Sequence, residues 1–427
     1  MSNIGTMGAG GAGGPLMASV EYQAFCRSEL ADPYGVLDEL RRTDPVHWSP
    51  LLDAWVVTTY QEVVVALREP ELRNDRVSIN ARAVPEALRP RYASLTTHVS
   101  NWLGFTDPPK HSQMRDVARK LVNPASAARS RPMIESSVKE ILDNLRGRDH
   151  FDLVDDLALR LPLTVICRLL GVPDENVTDF HNWATDVGQF AGQVDPTWSP
   201  ATESVIERAN QSWLALEELF GRLVVEKRTS PADDILSDLV GAFDDGLISS
   251  DELIGLSVFI LAAGHTTTRD LLGNGLYLLL GRPDDAQKAL AAPGNVALAI
   301  EEILRFESPI PMASRLAASP VVLAGKTIEP GQTVILHLAG ANRDEAKFAG
   351  GNVFDVTRQP NRHLAFGWGA HFCLGAPLAR EQGSVVLEAI LPELSRLQLD
   401  AGAPAWRPGD MSVRSLTELG VSWVAGP

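Results

Sequence analysis

Apolar residues recur with two different periods along the chain, and the change in period separates a mixed first part from a long helical part. Trp55–Thr58 has the short apolar run of a strand, and Gln61–Arg68 after it has helical spacing. A 3.6-residue apolar period is clear over Phe151–Leu170 and ends at Gly171, which is typical of a helix terminus. The polar, proline-containing stretch Gln193–Pro200 predicts a mobile connection between two helices.

The longest helix is predicted over residues 250–280. Ser249 and Glu252 stand three positions apart at its start, which is the spacing of a capping box. The longest apolar stretch, Leu253–Gly264, lies inside this helix and is too short to cross a bilayer. A further helix is predicted over Val296–Phe306, and short strands and turns follow it.

This order of elements predicts a mainly α protein with small β-sheets. No linker or internal repeat divides the chain, so we expect one domain over residues 20–427. Residues 1–19 are rich in glycine, carry no Lys or Arg and lack the apolar core of a signal peptide. They predict a disordered N-terminal tail.

Net charge and cysteine number narrow the class of protein further. The formal net charge of −16 argues against nucleic acid or an anionic membrane surface as the main partner. The three cysteines, Cys26, Cys167 and Cys373, are too far apart for a Cys-x-x-Cys zinc site, and their number fits a reducing cytoplasm. We expect Cys26 and Cys167 to be small buried hydrophobic residues. The neighbours of Cys373 indicate chemistry instead.

Cys373 lies near the end of a glycine-rich loop, Phe366–Gly375, that leads into the last predicted helix. A thiolate that binds haem iron needs shelter from water and hydrogen bonds from backbone N–H groups. A loop before a helix N-terminus offers such donors, and the helix dipole favours the anion. The three glycines of the loop allow its backbone to pass close to a flat cofactor, and Phe366 would cover one side.

The loop reads Phe-Gly-x-Gly-x-His-x-Cys-x-Gly, and it resembles the haem-binding loop of the cytochrome P450 family without a gap. Glu302-Ile303-Leu304-Arg305 resembles the E-x-x-R helix of that family, and Arg358 would complete its structural Glu–Arg–Arg cluster. The resemblance covers most of the chain after Asp107. It implies the cytochrome P450 fold, a single α-rich triangular prism, and one haem b whose iron is bound by Cys373.

The resemblance also implies which residues hold the haem propionates, two carboxylates that need cationic or hydrogen-bonding partners when partly buried. His111 and Arg115 lie one helical turn apart and share a face. Arg315 would come from a strand, and His371 precedes the cysteine by two positions. The alternative for each is an ordinary solvated Arg or His.

Within the longest helix, Ala263–Thr268 resembles the segment that crosses above the haem in this family. Small residues at Ala263 and Gly264 would bring the helix close to the iron and leave a groove for O2. The Thr267 hydroxyl would help to deliver protons there. The alternative for Thr267 is a hydrogen bond back to the carbonyl four residues earlier.

The sequence departs from the family pattern at Thr266, where the family has an acid. An acid can store and pass a proton, whereas a hydroxyl can only relay one. Asp270 lies four residues on and on the same helical face, so it is a candidate to replace that acid. His265 is a second candidate, and a polar group of the substrate is a third.

The pocket implied by the resemblance would hold an apolar small molecule. Its walls would come from five segments that are apolar with scattered polar groups: residues 76–103, 176–210, 258–267, 310–313 and 412–416. The loop Asp75–Arg91 has more arginines than acids. A solvated face explains this excess, and so would an anionic substrate or one carried on an acidic protein.

Electrons would come from a ferredoxin and its ferredoxin reductase, because the sequence includes no reductase segment. Four basic residues would form a patch for the ferredoxin on the thiolate side: Arg119, Lys120, Arg129 and Arg131.

Together these expectations describe a cytoplasmic haem-thiolate monooxygenase that inserts one oxygen atom from O2 into an apolar small molecule. The setting would be natural-product tailoring or catabolism. Two alternatives remain open. The same haem could drive peroxide-dependent oxidation or oxidative coupling, for which Thr266 is an argument. The protein could also be a non-enzymatic haem-binding sensor.

Overall fold

A computed structural model of the chain describes residues 32–74, 84–173, 176–192, 199–400, 405–407 and 412–424. The predicted disordered tail over residues 1–19 lies outside the described residues, as do Cys26 and most of the predicted mobile connection. Within the described part, none of the helices is both long enough and apolar enough to span a membrane.

Helices form most of the described structure, as the sequence predicts. The α-helices are α1 (Tyr34–Thr43), α2 (Tyr60–Arg68), α3 (Ala93–Ser100), α4 (Lys110–Leu121), α5 (Pro124–Leu145), α6 (Arg160–Leu170), α7 (Val177–Gly192), α8 (Pro200–Thr229), α9 (Ile235–Asp244), α10 (Ser250–Leu280), α11 (Pro283–Leu290), α12 (Asn295–Phe306), α13 (Leu338–Ala341) and α14 (Ala376–Ile390).

The strands are short and form three small sheets. They are β1 (Val46–Ser49), β2 (Ala54–Val57), β3 (Leu72–Arg73), β4 (His150–Asp152), β5 (Ala313–Ala317), β6 (Val321–Leu323), β7 (Lys326–Ile328), β8 (Thr333–Leu336), β9 (Leu397–Leu399) and β10 (Gly420–Trp423). The largest sheet has the order β1-β2-β8-β5-β3, with β2 and β8 parallel. The second has the order β4-β10-β9, and β6 pairs with β7.

The predicted helix over Phe151–Leu170 is wrong at its start. Phe151 belongs to β4, where it pairs with Val421 of β10, and a π-helical turn over Val154–Leu159 separates β4 from α6. The cause is that a short run of buried apolar residues is compatible with a strand as well as with a helix. Pairing with a strand near the end of the chain decides between them.

Helix α10 is the central element of the fold. The predicted capping box is present, because the Ser249 hydroxyl accepts from the Glu252 N–H at 3.2 Å and the Glu252 carboxylate accepts from the Ser249 N–H at 2.8 Å. Helices α6, α7, α8, α12 and α14 pack against α10.

Two apolar clusters meet along α10. Residues up to Ala262 pack in a cluster with α3, α4 and α6–α9, and residues from Leu271 onward pack in a second cluster with α5, α12 and α14. Residues 263–270 belong to neither cluster. The segment in which the sequence predicts the catalytic chemistry therefore lies at the border between the two apolar clusters.

The predicted Glu–Arg–Arg cluster is present in the structure. The Glu302 carboxylate accepts from Arg305 at 2.7 and 2.8 Å and from Arg358 at 3.3 Å, and the side chains of Glu302 and Arg305 are fully buried. Arg305 also donates to the backbone carbonyls of Asn342 and Gly351. The cluster ties α12 to the long connection between α13 and the cysteine loop.

We predict that Glu302→Gln destabilises the protein by about 3–5 kcal/mol, because it removes one partner of a fully buried ion pair. Denaturant unfolding of the purified proteins measures the change. Lys139→Ala breaks the exposed i,i+4 pair with Asp143 on α5 and should leave the midpoint almost unchanged. Equal midpoints for Glu302→Gln and the wild type would contradict the structural role of the cluster.

Candidate functional site

The cysteine loop is built from two tight turns. Gly367 and Gly369 have φ angles of 70° and 73°, in the left-handed region that other residues rarely adopt. The N–H of Gly367 donates to the Leu364 carbonyl and the N–H of Cys373 to the Phe366 carbonyl, both at 2.8 Å. These turns bring the Cys373 sulfur to the N-terminus of α14.

The environment of Cys373 opposes and favours its thiolate at the same time. Burial raises the pKa of the Cys373 thiol, whereas hydrogen bonds from the N–H groups of Gly375 and Ala376 and the positive charges of Arg115 and Arg380 lower it. The side chain also has accessible surface. A group that is exposed and yet desolvated faces an internal cavity.

Gly375 differs from the other two glycines of the loop. Its φ of −77° is open to any residue, and a Cβ there would lie 3.9 Å from the Cys373 sulfur, an ordinary contact distance. Its contribution in the structure is the N–H that it donates to the sulfur.

Helix α10 carries the other residues that the sequence predicts to line the cavity. Ala263 is exposed, and Thr266 and Thr267 are half-buried, although Ala262, His265 and Thr268 around them are buried. Surface of this kind in the middle of a core helix faces an internal space. Gly264 faces another way, because a Cβ there would come within 3.0 Å of Ile166 on α6. The close packing between α6 and α10 therefore favours a residue without a side chain here, which is a different reason from the predicted one.

The three threonines of this segment all hydrogen-bond back into the helix. Thr266 donates to the Ala262 carbonyl at 3.2 Å, Thr267 to that of Ala263 at 2.9 Å, and Thr268 to that of Gly264 at 3.1 Å. The Thr267 hydroxyl thus donates its hydrogen to the helix backbone. This is the alternative that the sequence leaves open for Thr267. Its oxygen keeps a lone pair with which it can accept a hydrogen bond.

His265 is fully buried, and both of its ring nitrogens have partners. Nδ1 lies 2.8 Å from the Leu261 carbonyl oxygen and Nε2 lies 3.3 Å from Nδ1 of His181 on α7. Burial lowers the pKa of His265 to about 4, so the ring is neutral at pH 7. With both nitrogens occupied, His265 has no ring nitrogen left for Thr266 or Thr267.

Asp270 is buried and bound to its neighbour in the sequence. Its carboxylate accepts from Arg269 at 2.7 and 2.9 Å, and both residues contact Ser415 in the C-terminal segment. Burial raises the pKa of Asp270, and the Arg269 charge opposes this shift. The carboxylate lies on the face of α10 that also carries Thr266, one turn away.

The four predicted propionate-binding residues come together from three elements. His111 and Arg115 lie on α4, Arg315 on β5, and His371 in the cysteine loop. The rings of His111 and His371 are 4.0 Å apart between centroids, and Arg115 donates to the Phe372 carbonyl at 2.6 Å. Burial lowers the pKa of His371 to about 3, and the positive charges of His111, Arg315 and Arg115 act in the same direction.

These residues fit a haem. In the described part of the chain, the side chains whose charge acts on the pKa of His371 are basic, and the buried Nε2 of His111 has no hydrogen-bond partner. Two propionates would supply the missing negative charge and the missing partner. Cys373, with donors on its sulfur and a cavity in front of it, would bind the iron.

Sequence reasoning missed several residues around the loop. Arg380 lies over the Phe366 ring at 4.6 Å and pairs with Glu301, which also binds His363. Burial alone would raise the pKa of Glu301, but the hydrogen bonds from Arg380 and His363 lower this pKa to about 2. Asn74 bonds to His371 at 2.8 Å. These pairings join distant segments, so no local pattern indicates them.

The predicted basic patch is smaller than the sequence indicates. Arg131 pairs with Glu135 and Glu381 at 2.8 Å and also with Glu388, so three acids surround its charge. Including Arg131 in the patch was wrong, because its neighbours on α14 are acidic.

Comparisons with known proteins agree with this site. The family profile for Cytochrome P450 matches residues 296–404. The chain is 36% identical over 392 residues to 6-deoxyerythronolide B hydroxylase of Saccharopolyspora erythraea, covering 88% of this chain and 92% of that protein. It is 34% identical over 409 residues to the cytochrome P450 monooxygenase PikC of Streptomyces venezuelae, covering 93% and 92%.

A solved structure shows the same fold. That of P450BioI in complex with a hexadec-9Z-enoic acid ligated acyl carrier protein superimposes with a TM-score of 0.84 at 30% identity. The match covers 93% of this chain and 99% of that one. The chain belongs to the cytochrome P450 superfamily and has its fold. It is a haem-binding P450 monooxygenase of the bacterial type, which confirms the predicted fold, enzyme class and cofactor.

We predict that the reduced protein with CO shows the red-shifted absorption band typical of thiolate-bound haem and that Cys373→Ser loses it, because serine offers no thiolate. Cys167→Ser is the matched control, since Cys167 is a fully buried residue of the apolar core. An unchanged band in Cys373→Ser would show that another residue binds the iron.

Proposed function

We propose that this enzyme hydroxylates an apolar small molecule of the natural-product or catabolic type, with electrons from a ferredoxin. The observation that carries the proposal is the sulfur of Cys373, which accepts hydrogen bonds from two backbone N–H groups at the start of α14 and keeps accessible surface. When bound there, the haem supplies the activation of O2 and the transfer of one oxygen atom. The names of the two curated relatives, a hydroxylase and a monooxygenase, support the same reaction.

An apolar substrate is proposed because the helix face toward the cavity is apolar. Phe259, Ala263 and Thr267 are spaced four residues apart and share one face of α10. The Phe259 ring packs against Trp102 with 5.6 Å between centroids. Of these four side chains only Trp102 and Thr267 have a polar group, so burial of apolar surface would supply most of the binding energy.

We propose a free substrate rather than one attached to a carrier protein. P450BioI was solved with an acyl carrier protein, and basic residues near the pocket would suit such an acidic partner. In this chain Arg91 pairs with Glu207 of α8 at 2.8 Å, and Arg89 donates to the Val84 carbonyl. Residues 75–83, which hold the other arginines of that loop, lie outside the described residues.

For proton supply we propose that Thr267 and Thr266 relay protons that Asp270 stores. Burial raises the pKa of Asp270, so this carboxylate holds a proton more readily than an exposed one. It lies one turn from Thr266, which can accept a proton but cannot store it. His265 is not part of this proposal, because both of its nitrogens have other partners.

We predict that Thr267→Ala lowers product formed per NADPH by about tenfold or more, since a positioned group that relays protons contributes at least that much. Asp270→Asn should also divert NADPH to peroxide, and Thr266→Asp should restore part of the product in that background. The substrate-induced shift from low to high spin should stay unchanged in each variant.

Thr268→Ala is the matched control, because Thr268 makes the same backbone bond but is buried. Normal coupling in Asp270→Asn together with poor coupling in Thr267→Ala would exclude Asp270 and leave water or the substrate as the proton source. Product from H2O2 without NADPH at the rate of the full system would instead favour peroxide-driven chemistry.

We propose that the ferredoxin binds the thiolate side through Arg119, Lys120 and Arg129. The first two lie on α4, the helix whose Arg115 bonds to the Phe372 carbonyl next to Cys373. An exposed Phe372 beside basic residues offers an apolar contact and complementary charge to an acidic protein. We propose a cytoplasmic location as well, because the thiol of Cys373 has to stay reduced in order to bind iron.

We predict that the double variant Arg119→Glu/Lys120→Glu is reduced by ferredoxin about tenfold more slowly at low ionic strength, because the patch steers the encounter. The rate should also depend less on salt, which stopped-flow reduction at several ionic strengths measures. Arg222→Glu on α8 serves as control. Wild-type rates across the salt series would place the ferredoxin elsewhere.

A further inference from the structure

Asn74 joins three segments of the site at one point. It directly follows β3, and its backbone N–H donates to the Asp107 carboxylate at 3.1 and 3.2 Å. Its side-chain Nδ2 donates to the same carboxylate at 3.2 Å and lies 2.8 Å from Nε2 of His371. Asn74 is buried, with 6% of its surface exposed. It therefore ties the start of the α4 region to the cysteine loop.

The Asp107 carboxylate determines which way the Asn74 amide points. An ionised carboxylate only accepts hydrogen bonds, so the atom that faces it must be the NH2 group and not the carbonyl oxygen. That same nitrogen contacts His371. An amide NH2 group donates two hydrogen bonds, and here one goes to Asp107 and the other to His371.

The Asn74 amide in turn determines the form of the His371 ring. Because Asn74 donates, Nε2 of His371 has to accept, which requires that nitrogen to carry no proton. A ring whose Nε2 accepts a hydrogen bond cannot be the imidazolium, in which both nitrogens carry protons, so the His371 ring is neutral. A neutral imidazole without a proton on Nε2 carries it on Nδ1.

We propose that Asn74 is a positioning residue that holds His371 in the Nδ1–H form, so that His371 offers a hydrogen-bond donor to a haem propionate. In the Nε2–H tautomer, Nδ1 of His371 would carry a lone pair, and a propionate carboxylate can donate no hydrogen bond to it. A neutral donor also leaves Arg115 and Arg315 as the two permanent positive charges for the two propionates. The inference rests on the haem site described above and assigns a role to a residue outside its motifs.

The test replaces Asn74 with Asp, which has the same shape and can only accept from His371 when ionised. The expected result is His371 with its proton on Nε2. Histidine 15N NMR of the reduced CO-bound protein, which is diamagnetic, reports the tautomer, with His371→Gln to assign the signal. Losing one hydrogen bond to a propionate should speed haem loss to apomyoglobin about three- to tenfold.

Asn74→Ala is the second variant, in case two neighbouring carboxylates prevent Asn74→Asp from folding. It selects neither tautomer and should show both. Asn101→Asp is the matched control, because Asn101 binds Lys110 at the start of α4 and leaves His371 untouched.

An unchanged Nδ1–H tautomer in the folded Asn74 variants would overturn the inference, and so would a changed tautomer with wild-type haem retention. Failure of the haem assignment would be seen separately. In that case the wild type itself would lack the thiolate band with CO.

Discussion

A cysteine anion has to be stable inside the protein, and the rest of the structure serves that constraint. Burial raises the pKa of the Cys373 thiol, so the thiolate forms only where other interactions oppose the cost of desolvation. Two backbone N–H groups at the start of α14 and two nearby arginines supply them. The left-handed glycines of the loop bring the sulfur to that helix terminus. The buried Glu302–Arg305–Arg358 cluster connects α12 to the segment that leads into the loop.

Helix α10 packs in two apolar clusters and also carries the residues of the proposed proton relay. These two features are separated along the helix, because the polar run His265–Asp270 lies between the parts that belong to the two clusters. Three consecutive threonines bond to their own helix, and His265 and Asp270 bond to side chains of other segments. The missing acid at Thr266 is therefore not replaced by a group that touches Thr266. In the proposed relay, a proton from Asp270 would reach Thr266 through a water or a group of the substrate.

The free-energy cost of burying a charge also applies to the basic residues of the predicted propionate site. The positive charges of Arg115 on α4 and Arg315 on β5 act together on the ring of His371, an arrangement that is unfavourable unless an anion joins it. The haem propionates would satisfy that requirement. Asn74 and Asp107 add a constraint at His371, because the NH2 group of Asn74 contacts both the Asp107 carboxylate and Nε2 of the ring. Under the proposal for Asn74, Asp107 near the start of α4 would influence the haem through two intermediate residues.

The sequence by itself determined the parts whose chemistry lies within about ten residues: the haem loop around Cys373, the E-x-x-R pair and the capped helix α10. It also placed His111, Arg115, Arg315 and His371 in one site by resemblance, and the structure brings them together. Only the tertiary structure decided which distant group meets each charge or strand. Phe151 pairs with Val421, Arg131 meets the acids of α14, Asp270 is buried against Ser415, and Asn74 contacts His371, 297 residues away. The physical reason is that a local pattern specifies which atoms can donate, accept or pack, whereas burial and partner choice depend on which segments the whole core brings together.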